Sequence, residues 1–147
     1  MIDVTSKALL APAAVLVIWT LIILVWMAAV RFSAFGKAKI SLAKAKPGGR
    51  GQDLEGVLPA KANWPAHNYA HLMEQPTIFY ATVVILALLG QGTALNITLA
   101  WAYVGLRIAH SLWQILVNTL SVRFPLFLLS TVALLILAIN AVVASIT

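Results

Sequence analysis

The sequence predicts an all-α protein, an integral membrane four-helix bundle, and three observations carry that prediction. First, 62% of the 147 residues are hydrophobic and only 10% are charged, against about 25% charged in soluble domains. Second, three stretches carry no charge at all: Ala8 to Val30, Gln75 to Leu106, and Phe124 to Thr147. Runs of about 18 or more such residues are long enough to cross a bilayer. Third, Arg31, Lys37, Lys39, Lys44, Lys46, Arg50 and Lys61 all lie between the first two runs. That bias places the connection, residues 32–63, in the cytoplasm and both termini on the opposite side of the membrane. The net charge of +6 is thus read as topology and contact with membrane lipids, not as nucleic-acid binding. Without cysteine, disulfides, thiolate metal sites and a cysteine nucleophile are excluded. The length fits one domain.

Each element follows from these runs. Span 1 covers about residues 8–31, with Arg31 closing its end, where a cation suits the helix dipole. It is too long, and too lacking in a small-residue cleavage site, for an ordinary signal peptide. The polar stretch that follows reads as a loop, with a short amphipathic piece around Phe35 to Leu42. Its glycines do not form a phosphate loop, because no strand precedes them and no Gly-Lys-Ser/Thr follows. Pro76 to Leu89 extends only about 21 Å, short of a core of about 30 Å. Span 2 must therefore start earlier, at about residue 65, with Asn63 or Trp64 as its cap and Pro65 in its first turn. It ends near residue 89. Pro76 then lies inside the helix and frees the Leu72 carbonyl, so His71 and Glu74 sit on a kinked helix. "GQGT" (Gly90 to Thr93) makes a tight turn into span 3, about residues 94–122. "VRFPLF" gives the next connection, with Pro125 in the first turn of span 4, about residues 125–146. Span 4 has almost no polar side chains before Asn140 and reads as scaffold.

The polar residues inside the spans need a reason, since intramembrane ionisable groups are costly and face a partner or a cavity. At about 100° per residue, Arg107, His110, Ser111, Gln114, Asn118 and Ser121 fall within roughly 60° of one line. His67, Asn68, His71 and Glu74 share a sector of span 2. Two polar stripes on paired helices imply a wet or ligand-filled seam. Counted from the turn at Gln91, Glu74 and Arg107 reach similar depth, so they can form an ion pair, within one chain or between subunits. His71 and His110 also admit axial ligation of a haem, although a dense hydrogen-bonding stripe suits a porphyrin face poorly.

"NYAHLMEQPTIFY" followed by "LRIAHSLWQILVNTLSVRFPLF" resembles the MAPEG family, membrane-associated proteins in eicosanoid and glutathione metabolism, and looks most like its bacterial branch. The Glu-x-Pro-x-x-Phe pattern together with an Arg-x-x-His helix is the specific part. The resemblance implies a homotrimer of four-helix bundles binding glutathione as cosubstrate between subunits near the cytoplasmic ends, with no metal. Glu74 matches the motif glutamate that helps bind the tripeptide's amino end. Arg31 resembles the arginine that helps hold a glutathione carboxylate. Arg107 and His110 match the span-3 pair, and Arg123 the arginine beside the glutathione sulfur. Asn68, His71, Gln114 and Asn118 complete the implied glutathione-binding set. His71 stands where the family motif has asparagine, and Gln114 where several relatives have tyrosine.

The implied activity is a membrane-bound transferase or peroxidase that holds the glutathione thiolate for attack on an apolar electrophile or lipid hydroperoxide. The thiolate is the reactive form, and a fixed guanidinium favours it. A second reading is a non-catalytic membrane protein holding a lipid or other amphiphile in the same seam. A small multidrug transporter is set aside, because the first span contains no acid.

Overall fold

A computed structural model describes residues 4–41 and 46–146; Lys44 and Leu42 lie outside the described residues. The described residues form five α-helices arranged as four rods. Helix α1 runs Val4–Lys37, α2 Ala60–Leu72, α3 Gln75–Leu88, α4 Ala94–Leu116 and α5 Leu120–Ile146, with a 3₁₀ turn at Gly51–Leu54 before α2. No strand occurs among the described residues. Helices α2 and α3 together form the second rod. The rods pack as a square: α1 touches α2, α3 and α4, while α5 touches α4 and α3. At one end α2 also reaches diagonally to α4.

The bundle is apolar inside and outside. Leu9, Leu16 and Ile23, spaced by sevens along α1, are buried against Phe79, Val83 and Leu86 of α3 and Tyr103 of α4. The Phe79 and Tyr103 rings stack at 4.2 Å. Yet Ile18, Leu21 and Val25 on α1, and Leu128, Val132, Leu135 and Ile139 on α5, face outward. Helices that are apolar all round belong in hydrocarbon. Helices α1, α2–α3 and α5 are long and apolar enough to cross a membrane. Helix α4, at 23 residues about 34 Å long, matches a bilayer core but turns its polar residues inward: Asn96, Arg107, His110, Ser111 and Gln114 are all buried.

Several expectations about the elements are corrected. Helix α1 continues to Lys37, so Arg31 lies well before its end and Lys37 occupies the last turn. Helix α2 starts at Ala60 after Pro59, which leaves Pro65 inside it; Asn63 is no cap and instead donates to the Leu54 carbonyl at 3.3 Å. The second rod does not kink at Pro76 but breaks. Met73 and Glu74 leave the helix, and Pro76 falls in the first turn of α3, where its missing N–H has no carbonyl to serve. The Glu74 carbonyl starts α3 by accepting from the amide and hydroxyl of Thr77.

Helix α4 stops at Leu116 rather than continuing to Val122. The amides of Val117 and Asn118 both fold back on the Trp113 carbonyl, and Asn118 takes φ +63°. Asparagine is among the few side-chain-bearing residues that visit this left-handed region readily. The reversal is therefore "VNT", and Arg123 and Pro125 both lie within α5.

The α3–α4 turn is as expected. Gly90 takes φ +69°, and the Gln91 amide bonds back to the Leu86 carbonyl at 2.8 Å. Thr93 caps α4 by accepting from the Asn96 amide. Gly92 has no room for a side chain: a Cβ there would run into the Thr5 carbonyl group and come within 2.6 Å of the Ser6 amide.

Candidate functional site

The break in the second rod builds the site. Without a continuing helix, the His71 carbonyl loses its intrahelical donor, and Arg107 takes that place. Its Nη2 donates to the His71 carbonyl at 3.0 Å, and its Nη1 lies 3.3 Å from His71 Nε2. On the other side of the ring, Nδ1 meets a Glu74 carboxylate oxygen at 3.0 Å. A guanidinium only donates and a carboxylate only accepts. Together these neighbours assign the tautomer: Nε2 accepts from Arg107, and Nδ1–H donates to Glu74.

Within one chain, Glu74 and Arg107 therefore do not form an ion pair. His71 stands between them as a bridge, because Glu74 sits on the exposed turn, with 68% of its side chain accessible, whereas Arg107 is 0% exposed. Phe127 of α5 closes the cluster. Its ring lies 5.8 Å from the Arg107 guanidinium, 5.4 Å from His71 and 6.5 Å from His110. The His71 and His110 rings are 5.0 Å apart. Both nitrogens of His71 are occupied, so the pair cannot serve as two axial haem ligands. Among the described residues no group of three or more His, Asp or Glu side chains is placed to hold a metal.

One turn along, Ser111 joins three helices. Its hydroxyl oxygen accepts from Trp19 Nε1 of α1 at 3.0 Å and from Asn68 Nδ2 of α2 at 2.6 Å. At the α4–α5 reversal, Arg123 donates from Nη1 to the Asn118 side-chain carbonyl at 2.8 Å. Gln75, just past the break, donates to Thr131 of α5 at 2.9 Å and accepts from the Tyr103 hydroxyl at 3.4 Å.

The structure thus brings His71, Glu74, Arg107 and His110 together around Phe127, Asn68 against Ser111, and Asn118 against Arg123. Gln114 turns inward on the same face of α4. Arg31 stands apart from these contacts and donates to the Gly51 carbonyl at 3.0 Å, fastening the α1–α2 connection. His67, counted in the polar sector of span 2, is exposed and paired with Glu55 at 2.9 Å. Ser121 is exposed at the start of α5, off the α4 stripe. Sequence reasoning missed Trp19, Gln75, Tyr103, Phe127 and Thr131. Gln75 gave a faint signal as a polar residue beside Pro76; Phe127 gave none in a helix rich in apolar residues.

The seam is incompletely satisfied. Asn68 Oδ1 and Gln114 Oε1 are buried acceptors without a partner, and Arg107 Nε and Arg123 Nε are buried donors without one. Such atoms are costly to leave unpaired. Four of them lie on residues of the seam; Asn63 Oδ1 and Arg31 Nε, away from it, are buried without a partner as well.

The model of the MAPEG family matches residues 9–143, nearly the whole chain. The chain belongs to the MAPEG family. It is therefore an integral membrane protein of a superfamily tied to glutathione and eicosanoid metabolism. Searches of curated proteins and of solved structures return no match.

Proposed function

We propose that this MAPEG protein is a glutathione-dependent transferase or peroxidase of a bacterial inner membrane, working as a homotrimer with the α1–α2 connection in the cytoplasm. The observation that carries the reading is the set of buried, unpartnered donors and acceptors on Asn68, Arg107, Gln114 and Arg123. Glutathione offers carboxylates to guanidinium N–H groups, and amide and ammonium donors to the two side-chain carbonyls. An acyl chain would satisfy none of them, which sets the non-catalytic amphiphile reading second.

Arg123 is the residue assigned to the sulfur. It lies in the first turns of α5, where a cation is unfavourable for the helix dipole; it therefore does not serve the helix. Asn118 fixes it there, and the free N–H groups of the helix start add to the field that favours an anion. A thiol placed beside it is held as thiolate, the nucleophile. In conjugation the sulfur bonds to an electrophilic carbon and a leaving group departs. Toward a lipid hydroperoxide the sulfur takes the terminal oxygen as a sulfenic acid and an alcohol leaves, after which the thiol of a second glutathione attacks that sulfur, forming the disulfide and releasing the oxygen as water. His71, Glu74, Arg107, His110 and Asn118 complete the peptide's surroundings, with a neighbouring subunit covering the exposed side of Glu74, and with Arg31, which stands apart within one chain, assigned to the site across the subunit boundary.

Thiolate absorbs near about 240 nm and thiol hardly does, so the difference spectrum on adding glutathione reads the assigned state directly. An adjacent guanidinium raises the thiolate fraction about tenfold or more near neutral pH. Arg123→Ala should lose that band and slow conjugation by a similar factor, while Arg123→Lys keeps part of both. An unchanged band and rate in Arg123→Ala would remove Arg123 from the chemistry.

A further inference from the structure

The last turns of α1 and the first turn of α2 form a concave groove that shares no lining residue with the polar seam. Its volume is about 580 Å³, and Ala29, Val30, Ala34 and Ala62 form much of its wall. The space exists because the α1 face is built of small residues. Two exposed lysines, Lys37 and Lys61, complete the lining. A cavity of this size holds a lipid headgroup and the first methylenes of its chains.

Depth and charge specify the occupant. A bilayer core of about 30 Å takes about 20 helical residues, so counting from Ala8, just past Lys7, the core ends near Ala28. The groove begins at Ala29 and so lies at headgroup level. Trp26 and Trp64 mark the same level, as interfacial tryptophans do, and the Lys61 ammonium lies 5.7 Å from the Trp64 ring centroid. Neither lysine has an ion pair among the described residues. The three described carboxylates are engaged elsewhere: Asp53 with the Arg50 amide at 2.7 Å, Glu55 with His67 and Glu74 with His71. Lys37 and Lys61 are thus left free of any described carboxylate and available to an external anion.

We propose that this groove binds an anionic phospholipid from the adjoining leaflet, its phosphate against Lys37 and Lys61 and its glycerol and upper acyl segments along the alanine wall. A zwitterionic lipid brings its own cation to two lysines and is disfavoured. A free phosphate leaves the apolar wall uncovered.

Native mass spectrometry of the full chain released from mild detergent tests this, with phosphatidylglycerol and phosphatidylcholine of identical acyl chains as probes. Each lysine near an anionic group contributes about fivefold in affinity, so Lys37→Ala/Lys61→Ala should lose roughly 25-fold of the preference for phosphatidylglycerol. A control pair of equal charge change, Lys46→Ala/Arg50→Ala, should keep it. Ala34→Trp fills the groove with both lysines in place and should also abolish retention, with helicity by circular dichroism unchanged. Equal losses in the two charge pairs would mean a diffuse field and overturn the site, as would full retention in Ala34→Trp. Dissociation of the oligomer in Ala34→Trp, with lipid preference intact in the lysine pair, would assign the groove to a second copy of the chain instead.

Discussion

Ser111 offers the sharpest test of the packing, because one hydroxyl oxygen serves two donors from two other helices. Substitution by alanine removes a single oxygen from a site with 0% exposure and leaves Trp19 Nε1 and Asn68 Nδ2 without their acceptor. A lost neutral hydrogen bond costs about 1 kcal/mol, and a buried donor left unpaired about 1–3 kcal/mol. Asn68 is fully buried and should bear the larger share, whereas the half-buried Trp19 can recover part of its loss. The sum is about 2–4 kcal/mol. At this chain length 1 kcal/mol moves the melting temperature by about 2–4 °C, so Ser111→Ala should melt about 5–15 °C lower in mild detergent, followed by circular dichroism. A second variant isolates the cause. Asn68→Leu removes the donor that Ser111→Ala orphans, so the double variant should be less destabilised than the two single effects summed, with coupling of about 1–2 kcal/mol. A shift below about 1 °C, or strict additivity, would mean that water reaches these groups and that the three-helix junction is not a dry, specifying contact.

Two further outcomes follow from the turns. Asn118 does two jobs, holding positive φ and accepting from Arg123. Asn118→Gly should keep the stability within about 1 kcal/mol, since glycine takes this conformation freely, yet weaken the 240 nm thiolate band by releasing Arg123. Asn118→Ala should lose the band and about 1–2 kcal/mol as well; equal melting temperatures for the two would refute the backbone argument. Gly92→Ala forces a methyl group into the α1 backbone at Thr5 and Ser6 and should cost about 1–3 kcal/mol as overpacking, read as a melting shift with the thiolate band unchanged.

The sequence by itself determined the medium, the helical class and the polar seam. Those properties are written in composition and period: apolar runs without charge, lysines gathered in one connection, and a row of hydrogen-bonding residues every three or four positions from Arg107 to Gln114. What it could not place were the ends of that row and the partners across it. Helix continuation through "VNT" is permitted by local propensity, so only the fold-back of two amides onto Trp113 decides that α4 stops at Leu116 and hands Arg123 to α5. Likewise the depth match of Glu74 and Arg107 is a one-dimensional statement. Whether they touch depends on where the rod breaks, and a break at Met73 and Glu74 turns the carboxylate outward and slots His71 between the two charges. Gln75, Tyr103 and Thr131 come together from three helices, and no spacing along one chain segment can announce that. Periodicity reports which face of a helix avoids lipid; which atoms meet on that face is fixed by the crossing of helices, and only packing in three dimensions sets it.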